Sequence, residues 1–219
     1  MENIKNILCF GDSLTWGWIP QPHSVPSQRY APDKRWTGVM ARALGAQFNV
    51  IEEGLNARTT NIDDPLDARV NGANYFPTSL ASHLPLDLVI IMLGTNDTKP
   101  SFNQTPQRIA EGMSLLVSQA RGSAGGIGAA YPAPKVLVVS PPPLTPMPDP
   151  WFGVMYEGGH EKTLQLPKYY KMMADFMKVM FFDAGSIVQT DGCDGIHLSE
   201  ESNKTLGLAM AEKVLQIFE

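Results

Sequence analysis

Cysteine is scarce in this chain. Only two occur among 219 residues, Cys9 and Cys193, too few for a disulfide framework. Cys9 falls inside an apolar run, where a reduced thiol behaves as a small apolar side chain. Basic charge is thin as well. Lys and Arg total 17 against 22 Asp and Glu, a net charge of −5. No basic cluster forms the footprint that nucleic acid or an anionic membrane requires. Long apolar runs are missing, since none approaches the ~20 residues that cross a bilayer. The first residues, Met1-Glu2-Asn3-Ile4-Lys5, contain no signal-peptide core. These absences lead us to expect a reduced, cytoplasmic protein with neither nucleic-acid nor membrane partners. Zinc-helix spacing is absent too: His160, in "GGHEKT", has no second histidine four residues on. Neither a metal nor a cofactor is implied.

What is present suits one globular domain, 1–219. The hydrophobic share is 43%, enough for a sizeable core. Short apolar runs at 7–10, 48–52, 86–93, 136–139 and 179–182 read as five fully buried strands. Burial on both faces implies a parallel sheet. Helical spacing separates several of the runs. Residues 36–44 carry Val39, Met40, Ala43 and Leu44 on one stripe and stop at Gly45. Thr105-Pro106 is an N-cap followed by proline, with Ile109, Met113, Leu116, Val117 and Ala120 beyond it. Ser199 opens a last helix in which Leu206, Ala209, Met210, Val214 and Ile217 share a face. Alternating strands and helices predict a three-layer α/β/α fold with right-handed crossovers.

Two stretches break the rhythm. Residues 122–134, "GSAGGIGAAYPAP", are rich in small residues but precede a strand and lack phosphate-loop spacing and its lysine. Residues 140–159, "SPPPLTPMPDPWFGVMYEGG", hold prolines that oppose regular structure. They follow a strand C-terminus, where α/β folds place ligands. Their Trp151, Phe152, Met155 and Tyr156 suggest a lid or a subunit interface.

Candidate chemistry begins with "CFGDSLTWGW", which sets Ser13 just past the first strand. A hydroxyl alone is a poor nucleophile and needs a base, an orienting acid and oxyanion donors. Of four histidines, His23 lies in a loop, and His83 and His160 lack partners in sequence. His197 differs, because "DGCDGIH" places Asp194 three residues before it. That spacing lets a carboxylate reach one imidazole nitrogen and leaves the other for a hydroxyl. A carboxylate capping a turn beside an unrelated histidine would look the same. The third strand ends "GTND", where the Asn96 amide can donate without titrating. It too has a plainer reading, as a turn asparagine. After the second strand, "EGLNARTT" offers backbone amides near Ala57. Each piece follows a different strand, and a parallel sheet gathers such ends on one edge.

Together "FGDSLTWG", "GTND" and "DGIH" resemble the SGNH (GDSL) hydrolase family, in order and over nearly the whole chain. No G-x-S-x-G elbow occurs, unlike in α/β-hydrolases. Longer strings such as "EEGLNARTTNIDDP" and "HLPLDLVIIMLGTNDTK" are similar to the aryl esterase branch, which includes acyltransferase-perhydrolases. The resemblance implies a flavodoxin-like fold, Ser13 as nucleophile, His197 as general base and acid, and Asp194 as its orienter. Oxyanion donors would be the Ser13 and Ala57 backbone N–H groups and the Asn96 side chain. Much of the family has glycine where Ala57 stands and serine where Asn56 stands, so these two positions bear on acyl fit. Asp12 would be a turn-stabilising acid. Leu14, Trp18, Asn56 and Phe152 are expected to bind substrate, a short-chain ester together with an alcohol acceptor. The branch also implies a homo-octamer. Carbohydrate acetylesterase and lysophospholipase or thioesterase activities are alternatives on the same fold, and a non-catalytic scaffold is a third.

Overall fold

A computed structural model describes residues 4–22, 27–123, 125 and 128–219. His23 and part of the 122–134 stretch lie outside them. The described residues form one parallel sheet of β1 (Lys5–Gly11), β2 (Phe48–Gly54), β3 (Leu88–Met92), β4 (Lys135–Ser140) and β5 (Met180–Asp183). Strand order is β2-β1-β3-β4-β5. Parallel neighbours require crossovers, and these carry helices to both faces. The α/β/α layering expected from the alternation is the layering observed.

Alternate strand residues supply two separate cores. Ile7, Cys9, Leu88, Ile90, Met92, Leu137 and Val139 face α2 (Trp36–Leu44) and α8 (Glu200–Phe218) through Trp36, Met40, Leu206 and Met210. Leu8, Phe10, Val89, Ile91, Val136 and Val138 face α3 (Gly72–His83), α4 (Pro106–Gly122) and α7 (Leu166–Met177) through Phe76, Leu80, Leu116 and Tyr170. This explains the unbroken apolar runs of β1, β3 and β4. The edge strands depart from expectation. β2 and β5 are half-buried, because each has a neighbour on one flank only. β3 is shorter than the run 86–93, although Leu86 and Leu93 remain buried beyond its ends.

The chain order reverses direction between β1 and β3, and Gly11 pairs with Met92 there. Ligands of doubly wound sheets bind beyond the strand ends at such a reversal. The 140–159 stretch also departs from expectation, since it contains α5 (Pro150–Met155) and leads into α6 (Gly159–Thr163). Pro150 occupies the first helical turn, where its missing N–H costs nothing. Asp149 caps that turn by accepting from the Trp151 and Phe152 N–H groups.

Candidate active site

β1 ends at Gly11, and α1 (Ser13–Trp16) begins two residues later. A Cβ at Gly11 would lie 2.1 Å from Thr15 Oγ1 and 2.9 Å from Met92 O. Only glycine lets the chain turn so tightly against β3. Asp12 caps the new turn, its Oδ1 accepting from Leu14 N at 2.9 Å, as its expected stabilising part requires. Ser13 therefore stands at the start of a helical turn, on the edge where β1 and β3 end.

The partners arrive from the other end of the chain. His197 Nε2 lies 2.8 Å from Ser13 Oγ. His197 Nδ1 lies 2.8 Å from Asp194 Oδ2. Asp194 Oδ1 accepts from the Ile196 and His197 N–H groups at 2.9 Å each. Gly195, at φ +77°, makes that return possible, and a Cβ there would meet Pro146 O at 2.6 Å. Burial works to raise the Asp194 carboxyl. The hydrogen bond and charge of His197, with the two N–H donors, outweigh it and hold the group below its ordinary value. An ionised Asp194 only accepts, so Nδ1 carries the proton and Nε2 is free to accept from the hydroxyl. His83 Nε2 instead meets Glu53 Oε1, and His160 Nδ1 meets Leu144 O.

The three expected donors follow separate strand ends, Ser13 after β1, Ala57 after β2 and Asn96 after β3. Asn96 opens the turn after β3 and is buried. Its Nδ2 donates to Arg58 O at 3.2 Å, which leaves a second N–H. Its Oδ1 accepts from Tyr156 Oη at 2.8 Å. Ala57, in the turn after β2, has φ +65°. Among the described residues, neither the Ser13 nor the Ala57 N–H donates to a protein acceptor. Behind them Arg58 lies over the Phe10 ring at 4.1 Å and donates to Gly11 O at 2.8 Å. Burial pulls the Arg58 guanidinium down to about 10, against the opposing charge of Glu53. Neither Arg58 nor Tyr156 was an expected site residue. Arg58 adjoins an expected position, whereas nothing in the sequence marks Tyr156 as a partner of Asn96.

The model of the GDSL-like lipase/acylhydrolase family matches residues 9–204. The chain belongs to this family. It is a serine hydrolase of the esterase kind. Solved structures agree with that membership. An aryl esterase from M. smegmatis is 66% identical with a TM-score of 0.96, over 97% of this chain and 99% of that one. A carbohydrate acetylesterase from Sinorhizobium meliloti is 62% identical with a TM-score of 0.96, over 97% and 99%. A carbohydrate acetylesterase family member from the same organism is 40% identical with a TM-score of 0.90, over 98% and 99%. No curated protein sequence matches.

The surroundings of the GDSL serine are apolar. Leu14 is buried in the core with Ile7, Met92 and Leu198. Trp18 stacks on the His197 ring, with centroids 5.1 Å apart and planes 17° from parallel. Asn56 adjoins Ala57, and its buried Oδ1 has no hydrogen-bond partner among the described residues. Phe152 packs with Leu144, Tyr156 and Ile196. A cavity of about 760 Å³, bordered by Ile62, Leu66, Lys99, Phe102, Trp151 and Met155, has none of Ser13, Asp194 or His197 in its lining. Among the described residues no group of three His, Cys, Asp or Glu side chains could hold a metal ion, and no helix is long and apolar enough to cross a membrane.

Proposed function

We propose that this GDSL-family esterase cleaves short-chain, often aryl, esters through an acyl-Ser13 intermediate and passes the acyl group to water or to an alcohol. The observation that carries the reading is the unbroken run from Ser13 Oγ through His197 to Asp194, with two contacts of 2.8 Å.

His197 Nε2 takes the hydroxyl proton as Ser13 Oγ attacks the ester carbonyl. General base catalysis of this kind contributes ~10²–10⁴-fold. Asp194 stabilises the imidazolium that forms and keeps the ring oriented. The carbonyl oxygen becomes an oxyanion among the Ser13 N–H, the Ala57 N–H and the Asn96 amide, each worth on the order of 3 kcal/mol. His197 then returns the proton to the departing alcohol, leaving acyl-Ser13. Water, activated by the same nitrogen, gives the acid. An alcohol gives a new ester, and hydrogen peroxide gives a peracid.

Transfer competes with hydrolysis where apolar walls favour an alcohol over water. Trp18 over His197 and the Phe152 cluster supply such walls. The M. smegmatis relative, an aryl esterase, favours aryl substrates. The Sinorhizobium meliloti relative favours a second reading, deacetylation of carbohydrates.

One experiment separates the parts. The enzyme is given p-nitrophenyl acetate and benzyl alcohol in water, and benzyl acetate and acetic acid are quantified. Both should form, and Ser13→Ala should abolish both. Acetic acid alone would remove transfer and leave hydrolysis. Turnover surviving in Ser13→Ala would remove the nucleophile assignment. Faster release from an acetylated sugar would favour the second reading.

A further inference from the structure

We propose that Tyr156 is a positioning residue for the oxyanion amide: its hydroxyl fixes which way the Asn96 side chain faces and strengthens the N–H it offers to the reacting carbonyl. The proposal rests on the reading of Asn96 as an oxyanion donor.

A primary amide has one accepting end and one donating end, and nearly the same shape either way round. At Asn96 two neighbours break the tie. Arg58 O can only accept, so Nδ2 must lie against it, at 3.2 Å. Oδ1 then falls 2.8 Å from Tyr156 Oη, which must donate. A flipped amide would press its oxygen against the Arg58 carbonyl. Arg58 also follows Ala57 in the chain, so the same bond holds the amide in register with that neighbouring N–H.

The tyrosine adds two things. It satisfies a buried carbonyl oxygen that has no other partner among the described residues. By donating to that oxygen it polarises the amide and makes the remaining N–H a better donor. The phenol stays protonated, because burial, reinforced by the Asp12, Asp194 and Asp97 charges, pushes it well above its ordinary value. Its position is firm. Tyr156 is 8% exposed and packs with Leu144 and Ile196, the latter next to His197. It closes α5, whose Trp151 and Met155 border the cavity. The C-cap residue of that helix is thus tied to the Asn96 amide.

The test is a double-mutant cycle of Tyr156→Phe and Asn96→Ala on p-nitrophenyl acetate. Rates are expressed per site titrated with a fluorophosphonate, so that misfolded protein does not count. Y156F should lower kcat about tenfold, the scale of one lost polarising hydrogen bond, with KM held within about twofold. N96A should lower kcat by about 10²–10³, and Y156F added to N96A should cost nothing more. An unchanged kcat in Y156F overturns the proposal. So does a Y156F loss that is equal in both backgrounds, since the tyrosine would then act through packing and not through the amide. An N96A enzyme of full activity overturns the oxyanion reading itself, a failure visible in that single variant.

Discussion

Ala57 is an alanine in a conformation that favours glycine. Its φ of +65° places Cβ against its own carbonyl, at a cost of roughly 1–2 kcal/mol. Such strain is commonly kept at functional sites, and Ala57 is the expected oxyanion position. Ala57→Gly should therefore raise stability by about 1 kcal/mol, read as a higher urea midpoint. A lower midpoint would mean that the turn carries no such strain. The residues now grouped around Ser13 were largely legible in the sequence. Asn96, Asp194 and His197 each lie beyond a strand end, and it was their joint placement, since each alone has a plainer reading, that pointed to one site. Tyr156 was illegible because its part depends on where α5 docks, which no local pattern encodes.

Among the elements, α3 shows why some helices were missed. Pro77 lies inside it, and proline removes the N–H that would bond to the carbonyl four residues earlier. That carbonyl, Ala73 O, accepts instead from Gln119 Nε2 of α4 at 2.9 Å. The helix survives on a tertiary bond that its own sequence does not contain. The 140–159 stretch misled in the same way, since Pro150 starts a helix instead of preventing one. At α1 the cap is itself a titrating group. Burial, together with the Asp97 charge, lifts the Asp12 carboxyl from 3.8 to about 7 against the Leu14 N–H and Arg58. Burial likewise lifts Asp97 to about 6 against its Thr60 bonds. The folded chain therefore holds protons that the unfolded chain has released. Stability should fall as pH rises from about 4 to about 7, by up to ~1.4 kcal/mol per pH unit and group. Above that window the dependence levels off. Asp12→Asn keeps the Leu14 cap and should flatten the slope in urea unfolding between pH 5 and 8. An unchanged slope would place the titration elsewhere.

At the scale of the whole molecule, an uncovered apolar surface stands around the α5 cavity. Leu66 is 92% exposed, Trp151 69% and Val154 64%, and all three border the 760 Å³ cavity. Large contiguous apolar patches mark interaction surfaces. Such a patch is where the homo-oligomer implied by the family resemblance would be tested. Leu66→Asp with Val154→Asp should reduce the mass seen in sedimentation velocity and leave Ser13 reactive. A wild-type chain that sediments as a monomer would end the assembly proposal. All five strands and the helix layers were readable from apolar runs, β2 and β5 included. Which strands stand at the edges was not, since neither exposed flank nor neighbour is written in a short run.

The contact between Ser13 and His197 spans 184 residues. At ~5–20 residues per second a ribosome takes roughly 10–40 s to travel from one to the other. Throughout that interval the nascent chain carries its serine without the imidazole that would activate it. Acyl chemistry on the growing polypeptide is therefore withheld by connectivity alone, and its onset in a synchronised translation would time the docking of the C-terminal segment onto the sheet.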